Sequence, residues 1–272
     1  MHYRFVIACP AEAKPLIKYY DLKLIKGNSN LFRCYKNRHQ NIWLVVSGIG
    51  NINSAAATIF LYNLSPNDKK SIWINLGTAG HFSEQIGKIF NIKKVIFKNA
   101  KKEVFYTNSI INSKFDNFNA CSVFSPEFLY KDKNYLYEME AYGFLKTVEK
   151  FCERERICIL KVISDNYGVD HSKIKSLTYD LIAKKINDID DLLAMYFNIQ
   201  TYEEIDVREV LFSINSKYRL SFYNKTEILK ILKKLNIDEK KEDILKELKN
   251  SKSLKDIYVY LNRLIKNKEI DI

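Results

Sequence analysis

The placement of a few glycines restricts the fold of this chain most strongly, since only eight occur among 272 residues. Four of them fall in two similar segments, IWLVVSGIG at 42–50 and IWINLGTAG at 72–80. In each segment a short apolar run, typical of a strand buried on both faces, comes just before the glycines. Glycine at the carboxyl end of such a strand lets the backbone approach a ligand closely. The two segments therefore predict a helix-covered sheet with a ligand site at its strand ends.

Predicted strands and helices alternate along the first 165 residues. Further strands are expected at 3–8, 91–97, 105–111 and 157–164, and helices at 53–64 and 140–152. This alternation indicates an α/β layer fold. From about residue 171 the pattern becomes helical, with an apolar stripe over 177–192 and amphipathic segments at 225–235, 239–248 and 254–265.

Composition excludes several classes of protein. Apolar residues make up 47% of the chain and aromatic residues 13%, which excludes wholesale disorder. The longest apolar runs fall short of the ~18 residues that a membrane-spanning helix needs, and the N-terminus has no secretory-signal pattern. The five cysteines are odd in number and include no CxxC pair, which argues against a disulfide scaffold or a zinc site. We therefore expect a cytoplasmic protein without a membrane segment.

The net charge of +12 is concentrated in the first part of the chain, where residues 1–165 contribute +10. Short lysine pairs there lie beside predicted strand ends and loops. A solvated surface is the interpretation that we favour, and nucleic acid is an unlikely partner. A nucleic-acid surface stays open as an alternative, and it would show as binding that falls steeply with salt.

Three carboxylates lie where strands are predicted to end or helices to begin: Glu12, Glu140 and Asp165. Ligands of open α/β sheets bind at the carboxyl ends of the strands. Three acids that converge there could divide the cleavage of a glycosidic bond, one donating a proton, one handling water and one holding sugar hydroxyls. Taken singly, an acid at such a position is more often a helix cap or a surface residue.

Five segments together carry a resemblance to a known family. In chain order they are PAEAK at 10–14, VSGIGNINSAA at 46–56, INLGTAG at 74–80, EMEA at 138–141 and VISDN at 162–166. The chain resembles the nucleoside phosphorylase/nucleosidase superfamily, on the branch of the methylthioadenosine/S-adenosylhomocysteine nucleosidases. The resemblance implies a three-layer α/β fold with a mixed central sheet over residues 1–198. Residues 199–272 exceed the family core, and their amphipathic pattern predicts a C-terminal helical extension.

The resemblance also implies catalytic roles for matching positions. Asp165 corresponds to the acid that protonates nitrogen 7 of the leaving purine, and Ser164 would steady it. Glu12 corresponds to the group that orients or deprotonates the attacking water. No metal and no cofactor are implied, and a homodimer is expected because family members are commonly dimers.

Substrate-binding roles follow in the same way. Glu140 corresponds to the carboxylate that binds the ribose 2′- and 3′-hydroxyls, and Met139 would pack against the sugar. The backbone of residues 78–80 (Thr78, Ala79 and Gly80) would line the pocket for base and sugar. Phe124 is a candidate for stacking on the base.

We therefore expect an enzyme that hydrolyses the N-glycosidic bond of an adenine-type nucleoside, such as a 5′-substituted adenosine. A phosphorylase is the first alternative, but Glu12 would repel phosphate and no arginine stands beside Gly77. A catalytically idle nucleoside-sensing module is the second. The chain departs from the family pattern at residues 9–11, at His81, which we expect on the polar surface near the pocket mouth, and at Lys161, where the family has arginine.

Overall fold

The computed structural model describes residues 2–26, 31–66, 71–98, 100–107, 114–167, 174–195, 207–235 and 241–270. The chain divides into two compact units, Met1–Ile199 and Gln200–Ile272. The first is a mixed α/β structure and the second is helical, which confirms the predicted fold class. Along the described ranges no helix is long and apolar enough to cross a membrane.

Within the described residues, the first unit is built on a sheet of ten strands. They are β1 (His2–Ile7), β2 (Lys23–Leu24), β3 (Arg33–Lys36), β4 (Ile42–Val46), β5 (Ser71–His81), β6 (Ile89–Phe97), β7 (Ala100–Tyr106), β8 (Asp116–Ser122), β9 (Leu136–Glu138) and β10 (Ile157–Asn166). Their spatial order is β10–β6–β8–β9–β5–β1–β4–β3–β2, and β7 pairs with β6. β1 runs parallel to β4 and β5, whereas β10 is antiparallel to β6, so the sheet is mixed as expected.

β5 is the centre of this sheet. β10 pairs with it along one edge, while β1 and then β9 pair with it along the other, so that Gly80 has Asp165 of β10 on one side and Tyr137 of β9 on the other. Because β10 also joins β6, the strands β5, β10, β6, β8 and β9 form a closed ring. The sequence pattern ended the second apolar strand at Leu76, which is wrong: β5 continues to His81, since Gly77 and Gly80 pair in register with Lys161 and Asp165 of β10.

Helices cover the two faces of the sheet. They are α1 (Pro10–Tyr19), α2 (Asn51–Leu64), α3 (Ala141–Val148), α4 (Ile174–Ala183) and α5 (Ile186–Met195). Side chains alternate along β1, so that Phe5 joins a core with α1, α4 and α5 while Val6 joins a core with α2 and α3. This alternation, which β4 and β5 repeat, produces the three layers.

Several elements differ from the sequence-based prediction. The strand predicted at 105–111 is β7, which ends at Tyr106, and residues 108–111 lie outside the described ranges. The helix predicted at 140–152 ends at Val148. α1 was not predicted at all, although Pro10 is at the first helical position, where proline is favoured.

The second unit contains α6 (Val207–Tyr218), α7 (Phe222–Leu235), α8 (Lys241–Asn250) and α9 (Leu254–Ile270) in its described part. Each helix contributes to one apolar core, which includes Ile214, Ile228, Ile244 and Ile257. The predicted segments correspond to α7, α8 and α9, whereas α6 was missed.

α2 and α3 pack against each other at Gly143. The Gly143 amide donates a hydrogen bond to Asn51 Oδ1 at 3.0 Å. A Cβ added at Gly143 would lie 1.9 Å from the Asn51 backbone oxygen. The glycine is therefore required by the close approach of the two helices, and this contact fixes the distance between α3 and the start of α2.

We expect Gly143→Ala to destabilise the protein, even though alanine is favoured over glycine within a helix by about 1 kcal/mol. The collision is with backbone, which no rotamer change relieves, and overpacking of this kind costs about 1–3 kcal/mol. Urea unfolding measures the difference. Lys146→Ala on the exposed face of α3 is the control, and a Gly143→Ala variant as stable as that control would contradict the role assigned to the glycine.

Candidate active site

The sequence-predicted site residues gather at one edge of the sheet. β1 is parallel to β4 and β5, and β5 is parallel to β10, so the carboxyl ends of these four strands lie together. Glu12 follows β1, the loop 47–50 follows β4, and Asp165 lies at the end of β10. Near the end of β5, Glu12 lies against Gly77 and Asp165 lies against Gly80.

Glu12 joins α1 to β5. It is buried, and its Oε2 accepts a hydrogen bond from the Cys9 amide at 3.2 Å, at the N-terminus of α1. Its Oε1 accepts from both the amide and the hydroxyl of Thr78, at 2.8 and 3.0 Å. Acidic side chains are favoured in the first turn of a helix, so one oxygen of Glu12 caps α1 while the other contacts β5.

Glu138 and Lys161 form a buried ion pair that the sequence analysis did not place in the site. The Lys161 ammonium lies 2.9 Å from Glu138 Oε2 and 3.8 Å from Glu140 Oε2, and its side chain is fully buried. The same Glu138 oxygen accepts from the amides of Glu140 and Ala141, at 2.9 and 2.7 Å. Its other oxygen accepts from the Ser122 hydroxyl. Glu138 thus caps α3 and anchors Lys161.

These contacts shift the pKa values of Glu138 and Lys161. Burial alone would raise the pKa of Glu138, but Lys161, the Ser122 hydroxyl and the Glu140 amide outweigh it and hold the pKa below its usual range. The pKa of Lys161 is raised because Glu138 and Glu140 outweigh burial, so the lysine is charged at neutral pH.

Glu140 is held differently from its neighbour. Its Oε1 accepts from the Gly50 amide at 3.0 Å, which links it to the loop after β4. Burial raises its pKa to about 7, with Glu138 and Glu12 adding to the rise and Lys161 opposing it. Near neutral pH its carboxyl group can therefore both donate and accept hydrogen bonds.

Asp165 lies beside Gly80 at a β-bulge. β10 pairs with β5 through Ile163 opposite Ala79, and then Asp165 stands opposite Gly80, with Ser164 as the extra residue. The Ser164 hydroxyl donates to Asp165 Oδ1 at 2.5 Å and to the Ala79 carbonyl at 3.4 Å. The predicted pair is therefore in contact, and it abuts the predicted pocket backbone.

The other predicted residues lie around this group. Met139 is half-buried between Glu138 and Glu140 and packs against an apolar cluster of Cys121, Val123, Tyr130 and Tyr137. Phe124 is 59% exposed, with its ring edge-on to Phe97 at a centroid distance of 4.7 Å. Stacking of Phe124 on a base stays a prediction.

The polar-surface position expected for His81 is wrong. The side chain is buried, its Nδ1 accepts from the amides of Ser83 and Glu84, and its Nε2 lies 2.8 Å from the Lys133 carbonyl. These contacts fasten the turn after β5 to the segment before β9, which is a structural role. Within the described residues no group of three His, Cys, Asp or Glu side chains is arranged to hold a metal ion.

Sequence reasoning missed three residues of the site. Glu138 was visible as the second acid of EMEA, and Lys161 as a departure from the family pattern, but the pairing of the two is a tertiary contact. Tyr130, whose hydroxyl donates to Asp165 Oδ2, comes from the irregular segment between β8 and β9 and had no signal in the sequence.

The fold is that of solved nucleosidases. The chain is similar to the 5′-methylthioadenosine nucleosidase of Arabidopsis thaliana, with a TM-score of 0.61 and 18% identity, over 74% of this chain and 97% of that one. It is similar to the 5′-methylthioadenosine/S-adenosylhomocysteine nucleosidase of Helicobacter pylori, with a TM-score of 0.58 and 14% identity, over 72% and 99%. It is also similar to futalosine hydrolase of the same organism, with a TM-score of 0.58 and 14% identity, over 72% and 98%.

No family model matches the sequence, and no curated protein matches it. At 14–18% identity the likeness to the solved structures shows the fold. The nucleoside phosphorylase/nucleosidase fold implied by the five segments is therefore confirmed.

Glu140→Gln is expected to change how stability depends on pH. The folded protein holds a proton on Glu140 up to about pH 7, whereas the unfolded chain loses it near the ordinary value of 4.5. Ionisation of Glu140 therefore costs the wild type stability as the pH rises through this window, and glutamine avoids that cost. The stability of the variant relative to wild type should rise from about pH 4.5 to about pH 7 and then level off.

Urea unfolding at several pH values measures this difference. Glu153→Gln, which removes an exposed carboxylate, is the control. A difference for Glu140→Gln that varies with pH no more than that of the control would show that Glu140 is not held in its protonated form.

Lys161→Met should destabilise the protein by about 3–5 kcal/mol, because it leaves buried carboxylates without their counter-charge. The double variant Lys161→Met/Glu138→Gln should recover part of that loss, since it also removes the charge of Glu138, which would otherwise be buried without a partner. Chemical denaturation of the two single variants and the double variant completes a thermodynamic cycle. Simple additivity of the two single changes would show that the pair is not coupled.

Proposed function

We propose that this protein hydrolyses the N-glycosidic bond of a purine nucleoside, with a 5′-substituted adenosine as the preferred class of substrate. The observation that carries the proposal is that Glu12 and Asp165 lie against the end of β5, at Gly77 and Gly80, while Lys161, which also borders Gly77, lies 3.8 Å from Glu140. The names of the structural neighbours, which are nucleosidases for methylthioadenosine and a futalosine hydrolase, support the same reaction class.

Asp165 is the proposed general acid. A purine leaves poorly as an anion, so a proton delivered to its nitrogen 7 lowers the barrier to C–N cleavage. The Ser164 hydroxyl fixes the orientation of the carboxyl group, and the absence of a side chain on Gly80 lets a planar base lie against the strand beside it. The bonding electrons go to the base, and the proton from Asp165 neutralises it.

Glu12 and Lys161 are the proposed water-binding groups. A Cβ added at Gly77 would lie 3.2 Å from Glu12 Oε1 and 3.4 Å from the Lys161 ammonium, so the two groups border the same side of β5. A water between them could donate to the carboxylate and accept from the ammonium. Its oxygen would then attack the anomeric carbon while Glu12 receives the released proton.

Glu140 is the proposed ligand of the ribose hydroxyls, with Met139 against the sugar ring. A carboxyl group with a pKa of about 7 can match either the donor or the acceptor side of a diol. The Gly50 amide fixes one oxygen, so the other faces the interior that it shares with Lys161.

Charge favours water over phosphate as the nucleophile. Glu12, Glu138 and Glu140 surround one ammonium group, so the region carries negative charge when they are ionised. Negative charge stabilises an oxocarbenium-like transition state and repels a phosphate anion. Phosphorolysis remains the competing reaction, and the homodimer and the cytoplasmic location stay predictions.

Base release is the test of this function. The protein is incubated with methylthioadenosine, S-adenosylhomocysteine, adenosine, inosine and futalosine, each with and without phosphate, and free base is measured by chromatography. We expect release that does not need phosphate, and a loss of about 10²–10⁴ in rate for Asp165→Asn. Release that requires phosphate would assign a phosphorylase instead.

Asp116→Asn is the matched control, because Asp116 is an exposed aspartate at the start of β8, where it pairs with Lys88. It should leave turnover unchanged. Thermal unfolding of both variants separates a lost acid from a lost fold. Full activity in a folded Asp165→Asn protein would contradict the assignment of Asp165 as the general acid.

A further inference from the structure

Tyr130 is buried inside the candidate site rather than on the surface of the loop that carries it. It is 1% exposed and lies in the segment between β8 and β9. Its hydroxyl donates a hydrogen bond to Asp165 Oδ2. Its ring belongs to the apolar cluster against which Met139 packs. Tyr130 therefore contacts Asp165, the proposed acid, and belongs to the cluster that also contacts Met139, the residue proposed to face the sugar.

The ring of Tyr130 fills the space that Gly80 leaves beside the strand. A Cβ added at Gly80 would lie 2.5 Å from Tyr130 Cε1 and 2.6 Å from both the Tyr130 hydroxyl and Asp165 Oδ2. A flat aromatic group thus already lies on β5 with a polar atom against Asp165. That is the arrangement proposed above for the purine base.

Both oxygens of Asp165 accept hydrogen bonds in this arrangement. Ser164 donates to Oδ1 and Tyr130 donates to Oδ2. A carboxylate oxygen can accept more than one hydrogen bond, but beside Gly80 the ring and hydroxyl of Tyr130 fill the space from which a base would reach Oδ2. Ser164 is the next residue along β10 and is fixed by the strand, whereas Tyr130 comes from a separate segment.

We propose that Tyr130 occupies the base pocket of the unliganded protein and that a purine binds only after this side chain has left. The inference rests on the proposed function, because it identifies the pocket by the acid assigned there. Tyr130 is then a specificity-determining residue: a ligand binds if it replaces both the aromatic ring on Gly80 and the hydrogen bond to Asp165.

The segment around Tyr130 is built so that this side chain can leave. Tyr130 has a φ of +43°, in the left-handed region that tyrosine rarely adopts, so its inward position is strained. The preceding residues Phe128 and Leu129 are 49% and 59% exposed, so the segment before Tyr130 runs along the surface of the protein.

Fixed points lie on either side of this stretch. Glu127 pairs with Lys98 before Tyr130, and after it the Asp132 amide donates to the Tyr137 hydroxyl at 3.0 Å. The residues between these two points can therefore turn outward while the ends of the segment stay in place.

Purine binding tests the proposal without relying on turnover. Stopped-flow mixing with 2-aminopurine, a fluorescent base, should give a wild-type binding rate that levels off at high ligand concentration, because opening precedes binding. Tyr130→Phe removes the hydrogen bond to the carboxylate and should raise the plateau rate about tenfold or more. Tyr130→Ala should raise it further and tighten binding, since nothing has to leave.

Tyr135→Phe is the matched control, because Tyr135 packs against the same cluster but its hydroxyl accepts from Lys94. It should behave as the wild type. Because Tyr130→Ala removes a buried ring and could unfold the site, the Phe variant and 3-fluorotyrosine at position 130 provide independent readouts. The fluorine signal should move towards that of solvent-exposed tyrosine when adenine is added.

Equal or slower binding to Tyr130→Phe, or a fluorine signal that does not move when adenine binds, would overturn the proposal. So would the absence of purine binding to every variant. The outcome is separable from the proposed function: base release by the wild type with unchanged binding kinetics in Tyr130→Phe rejects the displacement alone. Faster purine binding to the Tyr130 variants, without cleavage of any nucleoside, supports the displacement and rejects the hydrolysis.

Discussion

The ammonium group of Lys161 is the interaction on which the site depends. A carboxylate buried without a partner is costly, and here Glu138, Glu140 and Glu12 are all buried near one another. Lys161 pairs with Glu138 and lies close to Glu140, and by doing so it ties β10 to the end of β9 and the start of α3. The same charge lets Glu138 stay ionised as the cap of α3. The Lys161 ammonium therefore influences both the positions and the protonation states of these carboxyl groups.

Several residues combine a structural contact with a proposed chemical one. Glu12 fastens α1 to β5 through Thr78, and Glu140 fastens the loop after β4 through Gly50. Groups held in this way are pre-positioned, so little reorganisation is needed when charge develops in a bound substrate. The arrangement also means that the effect of a substitution on activity has to be separated from its effect on folding.

Much of the fold and part of the site could be predicted from the sequence, and the difference has a physical basis. Buried strands and strand-end glycines leave a local pattern, so β1, β4, β10 and the acids at their ends were found. The closed ring of strands could not be predicted, because β9 has only three residues and closes the ring by pairing Tyr137 with Gly80, which is distant in sequence. The continuation of β5 past Gly77 and the reach of Tyr130 to Asp165 depend on tertiary contacts that leave no local pattern.

The closed ring of strands also has a consequence for the order in which the chain can fold. β5 is the partner of β10, and residue 73 of one pairs with residue 157 of the other. Contacts that join such distant residues form late and slowly. During synthesis, one edge of β5 therefore stays unpaired until β10 has been made. Over the same period Glu12, Glu138 and Glu140 lack the Lys161 ammonium, which β10 carries. An unpaired strand edge can pair with another chain, so the open edge of β5 needs protection until β10 has been synthesised.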